Sequence, residues 1–235
     1  VGSFSGRKIL LTGASRGIGL GAVRLLLAEG ASVIGTGQDA ARLEATAKEL
    51  KKLGDFHGVA ADLGRPAHAA DTLAVAVKER WGTLDALVNN AAIGGQAGGY
   101  ATIPAGDLEK VLQVNVLAPH HLIKALLPFL EKGSEPRVVN VSSESGQLRN
   151  QQRRQDDPSY NLSKYALNSL SMLWSAELKG RVAVNAMHPG WVRSDMGGPE
   201  APDDLATGGR RIVQALAKPF SATGKFWYGE EEIDW

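Results

Sequence analysis

The sequence predicts a doubly wound α/β fold, a mostly parallel sheet of seven strands with helices on both faces. Two observations predict it. Short apolar runs alternate along the chain with longer amphipathic segments, and strands that alternate with helices pair in parallel, because parallel neighbours need right-handed crossover connections. The first run also leads directly into a glycine-rich turn and then a helix. In such folds ligands bind beyond the carboxyl ends of the strands. With 235 residues, 43% of them hydrophobic, the chain can bury one sizeable core, so a single domain spanning 1–235 is the simplest organisation.

In order, the apolar runs over 8–11, 31–36, 56–61, 84–89, 137–142, 181–187 and 225–228 are too short for helices and read as strands. The intervening segments near 17–29, 40–53, 66–80, 104–131, 158–179 and 203–217 read as helices. Asp39, just before Ala40-Ala41-Arg42-Leu43, suits the N-cap of the second helix. The glycine-rich stretch 93–99, the polar and charged stretch 149–158 and the segment 197–204 are expected loops, and no repeat or linker divides the chain.

With 26 basic and 25 acidic side chains the net charge is +1, so no single-sign field points to nucleic acid or an anionic membrane, and the expected partner is a small molecule. There are no cysteines, which excludes disulfides and thiolate chemistry. The histidines, at 57, 68, 120, 121 and 188, lack ligand spacing, so no metal is expected. No apolar stretch approaches the roughly 20 residues that span a bilayer, and Val1 to Lys8 is too polar for a secretory signal. A soluble cytoplasmic protein is the expectation.

The turn after the first strand reads Thr12-Gly13-Ala14-Ser15-Arg16-Gly17-Ile18-Gly19. Gly13 permits the turn, Gly17 lets backbone approach a pyrophosphate, Gly19 allows close packing, and the helix N-terminus offers free N–H groups to an anion. The spacing of three residues between the first two glycines resembles the short-chain dehydrogenase/reductase family, and other motifs agree with that resemblance. Asp62-Leu63 ends the third strand, Asn89-Asn90-Ala91 the fourth, and Pro189-Gly190 follows the sixth. The match runs from Arg7 to about Met196. It implies a single-domain Rossmann fold with cofactor contacts at Gly13, Ser15, Arg16, Gly17, Ile18, Gly19, Gly37, Gln38, Asp62, Leu63, Asn89, Ala91, Pro189, Gly190, Val192 and Ser194.

Tyr160 and Lys164 lie four apart in a helical segment, so their side chains leave the same face about one turn apart. A tyrosine normally titrates near ~10, and an ammonium within ~4–6 Å lowers it by ~1–3 units, toward the range useful for proton transfer. The strand ending in Ser142-Ser143 supplies hydroxyls. The resemblance selects Ser143, three residues before Gly146, to bond the substrate oxygen, leaving Ser142 and Ser145 as turn or capping residues. In the long helix, Pro119 cannot donate to the carbonyl of Asn115 four residues back, which leaves that oxygen unbonded. In the family this carbonyl holds a water that relays protons to the lysine. Asn115, Ser143, Tyr160 and Lys164 thus match the family's tetrad in chain order. The resemblance implies an oxidoreductase moving hydride between a nicotinamide cofactor and a carbonyl or alcohol, with Tyr160 as acid/base and Lys164 also on the nicotinamide ribose. A redox sensor, or a lyase or epimerase on the same fold, are the alternatives.

NAD-selective members carry an acid at the end of the second strand. Here that position is Gly37, while Arg16 stands where members place a cation for the 2′-phosphate, so NADP(H) is favoured and NAD(H) is possible. Gln38 replaces a common arginine, Ala92 a glycine and Ser194 a threonine, and the gap from Ser143 to Tyr160 is longer than usual. His188, Trp191, Met196, Ile93, Gln96 and Tyr100 are expected on the substrate side. The resemblance also implies a homodimer or homotetramer through the two long helices.

Overall fold

The computed structural model describes residues 4–150 and 157–235. In β1 (Lys8–Thr12) Ile9 and Leu11 enter the core on one side of the sheet and Leu10 on the other, as the two-residue period of a strand requires. The same split continues through β2 (Ser32–Gly37), β3 (Phe56–Ala60), β4 (Ala86–Asn89), β5 (Arg137–Val141) and β6 (Ala183–His188), and β7 (Phe226–Tyr228) buries Phe226. Their order is β3-β2-β1-β4-β5-β6-β7, all parallel, with β8 (Glu231–Ile233) added antiparallel at the β7 edge. The direction of winding reverses between β1 and β4, where the carboxyl ends of the strands open a crevice.

One face is covered by α1 (Gly17–Ala28), α2 (Ala40–Leu50) and α7 (Leu205–Leu216), which pack Val23, Leu26, Leu43, Leu50 and Ile212 against it. The other carries α3 (Pro66–Arg80), α5 (Ala118–Leu130) and α6 (Pro158–Glu177), with Leu73, Val77, Leu122 and Leu126 at the centre of the core. Asp39 caps α2, accepting from the Arg42 N–H at 2.9 Å. Among the described residues no helix is long and apolar enough to cross a membrane.

Two sequence expectations are corrected, and a third lies mainly outside the described residues. The sheet has eight strands rather than seven, because Gly229, at φ 60°, reverses the chain and lets a three-residue strand pair back on β7. That strand is too short and too acidic to announce itself. The helix expected over 104–131 is divided: α4 (Asp107–Leu112) gives way to a π-helical turn at Gln113–Leu117 before α5. Pro119 supplies the reason, since it has no N–H for the regular ladder and the extra residue of the π turn absorbs the misfit. The loop expected over 149–158 falls mainly on 151–156, outside the described residues.

Candidate active site

A cleft of about 840 Å³ lies across the carboxyl ends of β1 to β6, within the usual range for small-molecule sites. Gly13, Ser15, Arg16, Gly17, Ile18 and Gly19 form its floor, Gly37, Gln38, Asp62 and Leu63 one end, and Ala91, Tyr160, Lys164, Pro189 and Ser194 the other.

The floor is built to approach a ligand with backbone. Gly13 and Gly17 have φ of 72° and 60°, the left-handed region that glycine enters without penalty. A Cβ on Gly19 would fall on the Gly13 carbonyl and the Asn90 side-chain amide. The first turn of α1 has neither a capping side chain nor an acid, so its N–H groups remain for an anion. These residues fit a dinucleotide pyrophosphate. Asn90, part of the Asn89-Asn90-Ala91 motif but not among its expected contacts, holds the floor in place. Its Nδ2 donates to the carbonyls of Thr12 and Gly13 at 2.8 and 3.3 Å, while Thr12 Oγ1 accepts from the N–H groups of Asn90 and Ala91 at 3.0 Å each.

Asn89 does not line the cleft. Its side chain is buried on the sheet and donates to Asn140 Oδ1 at 2.8 Å, because consecutive residues at a strand end point to opposite faces. Gly190 and Val192 also lie outside the lining: Gly190 packs against Arg211, and buried Val192 bridges to Asp203. The expected cofactor contacts at Asn89, Gly190 and Val192 thus stand beside the residues that line the cleft and not among them.

At the Gly37 end, a Cβ on Gly37 would come within 2.8 Å of Ser15 Oγ, so any side chain there would require the Ser15 hydroxyl to turn away. Gln38 Nε2 donates to Asp62 Oδ1 at 3.2 Å. Arg16 pairs with Asp195, both well exposed, so an incoming phosphate would compete with that carboxylate. Arg42 also lines this end. Its position on the first turn of α2, three residues after the Asp39 cap, is the signal that could have found it.

Tyr160 and Lys164 face the other end from one side of α6. Lys164 is 3% exposed, its Nζ donates to the Val141 carbonyl at 2.8 Å, and it lies 5.4 Å from the centroid of the Tyr160 ring. Burial pushes the Lys164 ammonium down from 10.5 to about 7. Below pH ~7 both folded and unfolded states are protonated, and the fold bears the full cost of the buried charge. Between about 7 and 10.5 the unfolded chain binds the extra proton, so stability rises with pH across that window. The stability of Lys164→Met relative to the native chain should accordingly be greatest near pH 6 and fall by up to ~1.4 kcal/mol per unit through pH ~8 and ~9.5. Urea midpoints read this difference, and a pH-independent difference would exclude the buried-charge account.

Ser143 follows β5 and is 9% exposed, one residue beyond the cleft-lining Ser142. The capping role expected of Ser142 or Ser145 falls to Ser143 itself, whose Oγ accepts the Ser145 N–H at 3.1 Å. That bond uses a lone pair and orients the hydroxyl without using its hydrogen. Asn115 sits behind the cleft wall at 1% exposure. Its side chain clamps Ile93 through both backbone groups at 2.9 Å each, and donates to Ser163 Oγ, which in turn donates to the Tyr160 carbonyl at 2.7 Å.

Asp157 is a further residue that the sequence motif did not reveal. It caps α6 by accepting the Tyr160 N–H at 3.0 Å, and its carboxylate also accepts the Gly95 N–H. The helix that carries Tyr160 and Lys164 and the loop after β4 are thereby joined. Of the expected substrate-side residues, Ile93 and Met196 line the cleft. Tyr100 donates to the Pro158 carbonyl at 3.0 Å, Gln96 donates its N–H to Asp107, His188 stacks on Tyr228, and exposed Trp191 is held by Gly197 rather than buried in the core.

A doubly wound sheet, a glycine phosphate cradle and a tyrosine–lysine pair in one cleft define a nicotinamide-dinucleotide oxidoreductase. The family model described as short chain dehydrogenase matches residues 7–204, and the chain belongs to that family, whose members are NAD(P)-dependent enzymes acting on carbonyl or alcohol groups. It is 37% identical over 201 residues to the rhamnolipids biosynthesis 3-oxoacyl-acyl-carrier-protein reductase of Pseudomonas aeruginosa, covering 83% of this chain and 76% of that one. Carbonyl reductase (NADPH) 1 of Sus scrofa is 29% identical, with 99% and 96% covered. The NADPH-bound carbonyl reductase from chicken fatty liver superposes with a TM-score of 0.88 at 29% identity, covering 98% of this chain and all of that one.

Proposed function

We propose that this chain is a carbonyl reductase that works with NADP(H), one domain carrying both the cofactor and the substrate sites. The observation that carries the proposal is that Tyr160 and Lys164 line the same cleft as the Gly13–Gly19 phosphate loop. A nicotinamide cofactor, when bound, supplies or accepts the hydride. Tyr160 donates its phenolic proton to the substrate oxygen during reduction, and accepts it in the reverse direction. Ser143 donates a hydrogen bond to the same oxygen, where charge develops. Lys164, when protonated, lends its charge to the phenol and in either form can hold the nicotinamide ribose, and the Asn115 carbonyl, which Pro119 cannot serve, holds a water that replenishes the proton. Gly13, Ser15, Gly17, Ile18 and Gly19 hold the pyrophosphate, and Asp62, Leu63 and Ala91 the adenosine side.

Preference for the 2′-phosphate is supported by Gly37, by the two cations Arg16 and Arg42 at that end, and by relatives whose structures contain NADPH or NADP. Steady-state oxidation of NADPH and NADH against aldehydes, ketones and quinones tests the proposal. Turnover is expected with NADPH at a specificity about tenfold above NADH, the share of roughly one charged contact. A preference for NADH would overturn the account of the Gly37 end and leave the chemistry standing. Cofactor binding without turnover on any carbonyl would favour a sensor, or a lyase or epimerase on the same fold. Exposed Leu117, Met172 and Leu173 on the π turn and α6 support assembly as a homodimer or homotetramer through these helices.

A further inference from the structure

We infer that Arg211 is a positioning residue that fixes the nicotinamide end of the cleft, by tying the Pro189-Gly190 turn to the loop that follows it. The inference rests on the dinucleotide reading of the cleft proposed above. Arg211 projects from α7 with its side chain 16% exposed. Its Nη1 donates to the Pro189 carbonyl at 2.8 Å, and the guanidinium pairs with the Asp203 carboxylate. Its Cζ lies 4.5 Å over the ring of Tyr228 in β7, and that ring stacks on His188, the last residue of β6. One cation thus joins α7, the β6 end, β7 and the following loop.

Two backbone features show that the turn is shaped around this side chain. Gly190 has a φ of 93°, and a Cβ there would fall on the guanidinium. Asp203 closes its own loop with a short ladder, donating its N–H to the Trp191 carbonyl at 3.1 Å and accepting from the Arg193 N–H at 2.8 Å. Holding Asp203 therefore holds the segment that presents Ser194, Asp195 and Met196 to the cleft. Only a planar guanidinium can meet a carbonyl, a carboxylate and a ring face together, and a lysine would satisfy one or two of these. The adenosine-side end is built from β1, β2 and β3 and meets the Arg211-held segment through the exposed Arg16–Asp195 pair, so the comparison is cleanest with ADP-ribose, which lacks the 2′-phosphate.

This separation sets the experiment. Dissociation constants for NADPH and NADH, and for their nicotinamide-free counterparts 2′-phospho-ADP-ribose and ADP-ribose, are measured by calorimetry on the native chain, Arg211→Met and Arg211→Lys, with kcat and KM for carbonyl reduction. For Arg211→Met the intact cofactor should bind about tenfold more weakly, the entropy of ordering the released Pro189 turn and 194–196 segment then falling on binding, with kcat reduced as well. The nicotinamide-free ligand should change by less than about twofold on that scale, and Arg211→Lys should recover part of the loss. Equal weakening of both ligands would reduce Arg211 to support of the fold, and no weakening of either would remove its role; both outcomes overturn the inference. Should Arg211→Met not fold, Asp203→Asn carries the same contrast, since it removes the anion while leaving the Pro189 bond. A native chain that binds none of the four ligands would overturn the dinucleotide reading itself, and the inference with it.

Discussion

Replacing Tyr160 with phenylalanine should lower kcat for carbonyl reduction by about a thousandfold, the middle of the range for a lost general acid, while the cofactor dissociation constant stays within about twofold. The substitution is a clean one here. Tyr160 is held by its main chain, its N–H bonded to Asp157 and its carbonyl to Ser163, and phenylalanine keeps both bonds and the ring. Lys164 is fixed independently through the Val141 carbonyl, so the ribose-binding side of the cleft should persist. Stopped-flow or steady-state rates, paired with calorimetric binding, separate chemistry from affinity. Retention of turnover by the phenylalanine variant would remove Tyr160 from the chemistry, and retention of a partner-dependent response without turnover in either form would bring a sensor forward.

The second large effect is expected from Gly19→Ala. The new methyl would occupy the position of the Gly13 carbonyl oxygen and the Asn90 side-chain amide. The first is backbone, and the second is pinned by its bonds to Thr12 and Gly13, so neither can move without opening the phosphate loop. Overpacking of this kind costs about 1–3 kcal/mol of stability. Displacing the α1 N-terminus from the anion should weaken cofactor binding by about tenfold to a hundredfold, the worth of one charge-assisted hydrogen bond to the phosphate. Gly17→Ala is the contrast. No heavy atom lies within 4 Å of its new Cβ, and only the φ of 60° is unfavourable, at about 1–2 kcal/mol. Urea midpoints and NADPH titrations of the two variants decide the matter; unchanged values for Gly19→Ala would show that the loop can yield.

Much of the site was legible because its signals are local. A glycine turn, a helix start and a tyrosine–lysine spacing each depend on residues within one or two turns of one another, and backbone geometry alone relates them. Pro119 was legible as a residue without an N–H for the ladder, but the π turn at Gln113–Leu117 that answers it was not, since the segment reads as one continuous helix. The faces of the strands were less legible. Asn89 and Asn90 are chemically identical, and which of them meets the cleft is decided by the register of β4 between β1 and β5. A shift of one residue would exchange them.

The sequence by itself determined the alternating fold, the glycine turn after β1 and the helix that carries Tyr160 and Lys164, since periodicity, caps and turns are written in consecutive residues. Only the tertiary structure decided that Arg16 meets Asp195, 179 positions away, that Asp157 joins the Tyr160 helix to Gly95, and that Arg211 holds the Pro189 turn. A charged side chain in a sequence is compatible with solvent or with many partners, and its choice is made when crossover connections bring distant loops to the same end of one sheet.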